Sequence, residues 1–155
     1  MIRLNKITDY GVVVLSFLAT RRGATVTTAE VAADTGVPVP TVAKILKILA
    51  RAGIVASLRG AGGGYALARP AAEITIAQIV EALEGPIVLA ECVDGSENQC
   101  GVEMLCPMRG GWNRISEAIA AALSEVTLLD MITPPDFPLP EGGMPASGAD
   151  RGREA

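Results

Sequence analysis

The amino-acid sequence predicts a mainly α protein with a small β-hairpin, arranged as a winged helix-turn-helix plus a long C-terminal dimerisation helix. Two helical segments are joined across a turn at Gly36, and the second has an apolar back and a basic front. The glycine-rich stretch Gly60-Ala61-Gly62-Gly63-Gly64 then separates two short strand-like segments. Near the C-terminus a periodic, alanine-rich segment carries an apolar stripe with little core left to cover.

The first helix is read from Ile7 to Arg22, with Val13, Val14, Phe17 and Leu18 at helical spacing and Tyr10 and Leu15 beside them. Thr27 stands three residues before Glu30, a capping-box pair that predicts a short helix over 28–35. Gly36 supplies the turn, Pro38 and Pro40 forbid helix before them, and Pro40 suits a first helical position. From Thr41 to Ala52, Val42, Ile45, Leu46 and Leu49 make one face, and Lys44, Lys47 and Arg51 make the other. Gly53 takes the left-handed position after the helix end.

Ile54 to Arg59 and Tyr65 to Ala68 read as the strands of a hairpin, which makes a wing when it follows a recognition-type helix. A phosphate cradle would need GxxxxGK[ST] opening a helix, whereas a tyrosine-bearing strand follows these glycines. Thr75 and Gln78 form a second capping box, so another helix runs to about Glu84 and stops at Gly85-Pro86. Trp112, Ile115, Ile119, Leu123 and Val126 recur every three or four residues, which predicts one long helix from about Met108 to Ile132. Self-association accounts for its stripe most economically, and packing back on its own wing is the alternative. The expected organisation is a DNA-binding domain over 1–85, a cysteine loop over 86–107, a dimerisation helix over 108–132 and a Pro-, Gly- and acid-rich disordered tail over 133–155.

Half of the 155 residues are hydrophobic and 3% aromatic, which suits one small domain with an aliphatic core. There is no histidine, which removes Ser-His-Asp hydrolysis, Cys-His proteolysis and HExxH zinc chemistry, so an enzyme is not expected. The net charge of −4 hides an asymmetry. Residues 1–69 hold nine Lys/Arg against three acids, and residues 70–155 hold four against fourteen. A basic half joined to an acidic half fits a protein that meets nucleic acid with one part only. The absence of an apolar run of about 18 residues and of an N-terminal export segment predicts a soluble cytoplasmic protein with no membrane partner.

All three cysteines lie in the polar stretch 90–106, as Cys92-x7-Cys100-x5-Cys106. That spacing is neither a zinc ribbon nor a redox CxxC. An odd number in a chain without export features disfavours a disulfide framework, leaving metal ligation, redox sensing or unligated thiols. Their acidic and polar neighbours, Glu91, Asp94, Ser96, Glu97 and Glu103, suit accessible thiols better than packed ones. Three thiolates can wrap one face of an iron-sulfur cluster and leave a position for a different ligand.

The wing Ser57-Leu58-Arg59-Gly60-Ala61-Gly62-Gly63-Gly64-Tyr65, followed by the three-cysteine loop, resembles the winged-helix regulators that include IscR and NsrR, especially the branch regulating the SUF iron-sulfur assembly operon. The opening Arg3-Leu4-Asn5-Lys6-Ile7-Thr8-Asp9-Tyr10 is similar to theirs, and the resemblance runs from Ile2 to about Ile132. It implies that Cys92, Cys100 and Cys106 bind a 2Fe-2S or 4Fe-4S cluster. In the IscR branch a histidine three residues after the last cysteine completes the set, and Arg109 stands there instead. In NsrR an aspartate from the first helix of the other subunit does so, and the matching residue is Asp9, with Glu91, Glu103 or an exogenous ligand as alternatives.

A dimer of such chains would present two recognition helices and two wings to a pseudo-palindromic double-stranded operator. Thr41 and Lys44 are placed for base edges, Lys47 and Arg51 for phosphates, and Arg59 at the wing tip for a narrow A/T-rich minor groove. Ala43 replaces a glutamate of the IscR branch, so that branch's sequence preference does not transfer. The expected function is a cluster-sensing transcriptional regulator, a repressor of SUF-type assembly genes. Nitric-oxide sensing and thiol/disulfide switching are the alternatives. A thiol enzyme lacks a base beside any cysteine.

Overall fold

The computed structural model of the chain describes residues 4–21, 23–90 and 108–133. The element order is α1 (Lys6–Thr20), α2 (Thr28–Thr35), α3 (Val39–Arg51), β1 (Val55–Leu58), β2 (Gly64–Leu67), a single 3-10 turn (Ala71–Glu73), α4 (Ile76–Glu84), α5 (Arg109–Glu125) and α6 (Leu128–Ile132). Mainly helical with one hairpin, this is the predicted fold class.

Asn5 caps α1, accepting a hydrogen bond from the Ile7 backbone N–H. The helix ends at Thr20, two residues earlier than the spacing predicts, and its buried face is Thr8, Gly11, Val14, Leu15 and Leu18. Val13, expected inside, is 39% exposed. The row 11, 14, 15, 18 follows the i, i+3, i+4, i+7 rule more closely than one containing 13.

Both hydroxyl caps form as the spacing predicts. Thr27 and Glu30 exchange hydrogen bonds at the start of α2, and Thr75 and Gln78 do so at the start of α4. Gly36 follows α2 at φ 73°, a left-handed conformation in which glycine has no Cβ penalty. The recognition helix α3 starts at Val39, two residues before Thr41, with Pro38 as its cap and Pro40 in its first turn. Backbone N–H groups in a first turn have no helical partner, so proline loses nothing there. Val42, Ile45, Leu46 and Leu49 are all fully buried, and together with Val14, Leu15, Leu18, Ile54, Ile74 and Ile79 they make the core. Each such side chain contributes about 1.5–3 kcal/mol on burial.

The hairpin pairs Val55 with Leu67, Ala56 with Ala66, Ser57 with Tyr65 and Leu58 with Gly64. Val26, on the approach to α2, joins its edge by exchanging backbone hydrogen bonds with Tyr65 at 2.8 and 2.9 Å. The glycines allow that close approach, because a Cβ on Gly64 would lie 2.6 Å from the Val26 carbonyl oxygen and one on Gly63 2.7 Å from that of Leu58.

The C-terminal helix departs from expectation. Instead of one helix over 108–132, α5 stops at Glu125, Val126 and Thr127 are extended, and α6 restarts at Leu128. Tertiary pairing causes the break. The Ile76 N–H donates to the Val126 carbonyl and the Leu128 N–H to the Ile74 carbonyl, each at 2.8 Å. Thr127 and Asp130 then form a third capping box, and Leu128 is fully buried in the winged core. The tail, 134–155, lies outside the described residues.

Candidate nucleic-acid interface and cysteine segment

The basic residues singled out from sequence stand on two adjoining features. Lys44, Lys47 and Arg51 are exposed on α3, Thr41 is half-buried in its first turn, and Arg59 is exposed at the turn of the wing. The helix has no acidic residue: apart from Thr41, its sequence Val-Pro-Thr-Val-Ala-Lys-Ile-Leu-Lys-Ile-Leu-Ala-Arg places only apolar and basic groups around its circumference. Among the described residues the salt bridge found is Arg21 to Asp34 at 3.0 Å, so the cations of α3 and the wing have no carboxylate neutralising them. Unneutralised cations on one helix face and an adjacent loop are the electrostatic footprint of a phosphate backbone.

Arg21 is differently engaged: besides Asp34, its guanidinium lies 4.7 Å from the centroid of the Phe17 ring. Lys6 similarly covers Tyr10 at 5.3 Å. These cations fasten the ends of α1.

Two residues of the reading surface escaped the sequence reasoning: Val39, 49% exposed on α3, and Leu58, 51% exposed beside Arg59. Ala43, noted there for replacing a glutamate of the IscR branch, is exposed on the same helix. A helical projection starting at Val39 would have found the first of them.

Cys92, Cys100 and Cys106 lie outside the described residues. The described chain runs past the end of α4 to Ala90, with the Leu89 N–H on Ser116, and resumes at Met108 just before α5. Asp9 is exposed in the first turn of α1. Its neighbour Thr8 is fully buried and donates its hydroxyl to the Glu84 carboxylate, which also accepts the Asn5 backbone N–H at 2.7 Å. The turn that carries Asp9 is thereby fixed to the last residue of α4, eight positions before Cys92. No group of three potential metal ligands occurs among the described residues.

The far side of α5 is open. Gly111, Ile115, Ala118, Ile119 and Ala122 line a shallow apolar groove edged by Arg114, and Trp112 is 41% exposed. The opposite side packs on α4, with Leu123 against the core and Ser116 buried, its hydroxyl accepting the Leu89 N–H. Both readings of the stripe thus have residues behind them: one part covers the chain's own core and another covers nothing among the described residues. No helix among the described residues is long and apolar enough to cross a membrane.

The family model Rrf2, described as iron-dependent transcriptional regulator, matches residues 4–134. The NsrR transcriptional regulator of Oceanobacillus iheyensis is 32% identical over 130 residues, covering 83% of this chain and 88% of the relative. Among solved structures, CymR, the global cysteine regulator of B. subtilis, superposes with a TM-score of 0.64 at 28% identity, covering 85% of this chain and 97% of CymR. IscR of T. potens does so with a TM-score of 0.62 at 27% identity, covering 84% and 86%. These relatives are regulators, not enzymes. A winged fold, a cationic reading face with no carboxylate paired to it among the described residues, and a family match over all of those residues lead to one conclusion: the chain belongs to the Rrf2 family of DNA-binding transcriptional regulators.

Proposed function

We propose that the protein is a homodimeric repressor of iron-sulfur assembly genes of the SUF type, and that iron-sulfur cluster occupancy sets its operator affinity. The observation that carries this reading is the grouping of all three cysteines in the segment between Glu84 and Arg109, which joins the winged core to α5. Three thiolates and a carboxylate are a chemically suitable donor set for iron, and the chain offers no histidine to compete. Cys92, Cys100 and Cys106 would hold the cluster, with Asp9 of the second subunit as the fourth ligand. A bound cluster supplies an iron centre that reacts to iron supply and oxidants. Everything else is done by the chain: Thr41 and Lys44 meet base edges, Lys47 and Arg51 hold phosphates, Arg59 enters the minor groove, and the open faces of two α5 helices pair.

The Thr8–Glu84 link supports the coupling, because it ties the first turn of α1 to the end of α4, eight positions before Cys92. A differential of about 3 kcal/mol between two arrangements of the winged domains changes operator affinity about 100-fold. The test is purification without oxygen, followed by iron, sulfide and visible-absorbance measurement and operator titration before and after reconstitution. Colourless, metal-free material whose DNA affinity is unchanged by reconstitution rejects the reading. The likeness to CymR of Staphylococcus aureus, whose structure is of an oxidized form, favours a second reading in which two of the cysteines form a disulfide. Metal-free protein whose affinity shifts with oxidant and recovers with a dithiol selects it.

A further inference from the structure

We infer that Val39 and Ala43 read thymine methyl groups in the major groove and are specificity-determining residues of the operator site. This rests on the DNA-binding reading of α3. At 100° per residue, positions 39, 43 and 47 form one row along the helix, so the row passes from apolar to cationic as it leaves the N-terminal turn. In a helix-turn-helix the N-terminal turns of the second helix meet the base edges. Val39 is 49% exposed there and Ala43 is exposed; the pair flanks the buried face of Val42, Ile45, Leu46 and Leu49 on the side that leads round to Lys47. A half-exposed β-branched side chain adds nothing to the core, yet it stands on a surface whose other exposed side chains, Lys44, Lys47 and Arg51, suit a polyanion.

The chemistry of the first two turns narrows what can be read. Residues 39–44 are Val, Pro, Thr, Val, Ala and Lys, with no carboxylate for the cytosine amino group, no amide for the paired adenine positions, and Lys44 as the one group that reaches guanine O6 and N7 or thymine O4. What remains is one hydroxyl at Thr41, one ammonium at Lys44 and the methyl surfaces of Val39 and Ala43. Thymine alone presents a methyl group in the major groove, and its O4 accepts from a neighbouring ammonium. An apolar pair beside a single donor is complementary to that pattern.

The test separates this inference from the reading beneath it. The full-length protein, purified without oxygen, is used to select duplexes from a randomised pool, and the enriched duplex is resynthesised with deoxyuridine replacing thymidine at one position at a time. Deoxyuridine keeps every hydrogen bond and loses only the methyl group. The expected result is a loss of about fourfold in affinity at one or two positions per half-site, the worth of one buried methyl. Val39→Ser or Ala43→Ser should abolish the deoxyuridine effect at one of those positions while leaving the others. Equal affinity for every deoxyuridine duplex, or full sensitivity retained in both variants, overturns the inference and leaves DNA binding standing. Failure to enrich any duplex removes the DNA-binding reading itself, and this inference with it.

Discussion

The buried hydroxyl of Thr8 donates to the carboxylate of Glu84, joining the first turn of α1 to the last residue of α4 across 76 positions of sequence. The same carboxylate oxygen accepts the Asn5 N–H, so one exposed acid satisfies one backbone donor and one buried side-chain donor. Removing the acceptor leaves Thr8 unsatisfied in the interior. Glu84→Ala should therefore cost about 1–2 kcal/mol, and Glu84→Gln, which keeps an acceptor, should cost less, as read by urea unfolding. Equal losses for the two variants would show that the carbonyl-type acceptor is irrelevant.

Asp9, next to that contact, is exposed in the first turn of α1, where its charge favours the helix dipole only modestly. Asp9→Ala should leave unfolding within about 0.5 kcal/mol of the parent while shortening the lifetime of the visible chromophore in anaerobically prepared protein. An unchanged chromophore spectrum and lifetime would remove Asp9 from the ligand set.

Gly64→Ala should destabilise the wing, because its Cβ would sit 2.6 Å from the carbonyl oxygen of Val26, a backbone atom that cannot swing away. A loss of about 1–3 kcal/mol is expected. Operator affinity should fall as well, through displacement of Arg59. Arg59→Ala alone should weaken DNA binding and flatten its dependence on log salt by about one unit, with stability unaffected.

Leu128 is fully buried beyond the end of α5. Leu128→Ala should cost about 2–5 kcal/mol, a large drop in thermal midpoint for so small a domain. A chain ending at 133 should keep the parent stability and its self-association, whereas one ending at 125 should lose stability. Calorimetry and sedimentation on the two truncations check this.

Two carboxylates make stability fall in acid. Backbone and side-chain hydrogen bonds from Thr27 hold Glu30 below its ordinary value of 4.5, and side-chain and backbone hydrogen bonds from Thr127 hold Asp130 below 3.8. Because the folded values are the lower ones, the unfolded chain binds more protons in this range. The stabilisation is complete above the unfolded values and is lost as pH falls through the folded ones. Thr27→Ala should thus lower stability at neutral pH and flatten the acid limb between about pH 5 and pH 3; a limb as steep as the parent's would place the acid sensitivity elsewhere.

The elements most legible in the sequence were those fixed within a few residues of themselves. Thr27 with Glu30 and Thr75 with Gln78 announce their helices, and Gly36 announces its turn, because the interactions responsible are local. The Thr127 and Asp130 box had the same form but sat inside a 3.6-residue periodicity that reads equally well as one continuous helix. Only the pairing of Val126 and Leu128 with residues 74 and 76 decides the matter, and no local pattern encodes it. The cations of the reading face were visible as a stripe, but the exposed Val39 was hidden by a helix start placed two residues late. Thr8, Glu84 and the edge strand at Val26 depend on partners about 40 to 76 residues away, beyond any spacing rule.

The interruption at Val126 and Thr127 also has a mechanical meaning. Two backbone bonds rivet that point to the start of α4, while packing on α4 and the Ser116–Leu89 bond hold the body of α5 against the core, so the helix is clamped and not hinged. On the dimer reading proposed above, the angle between two subunits would then be inherited from the winged core itself.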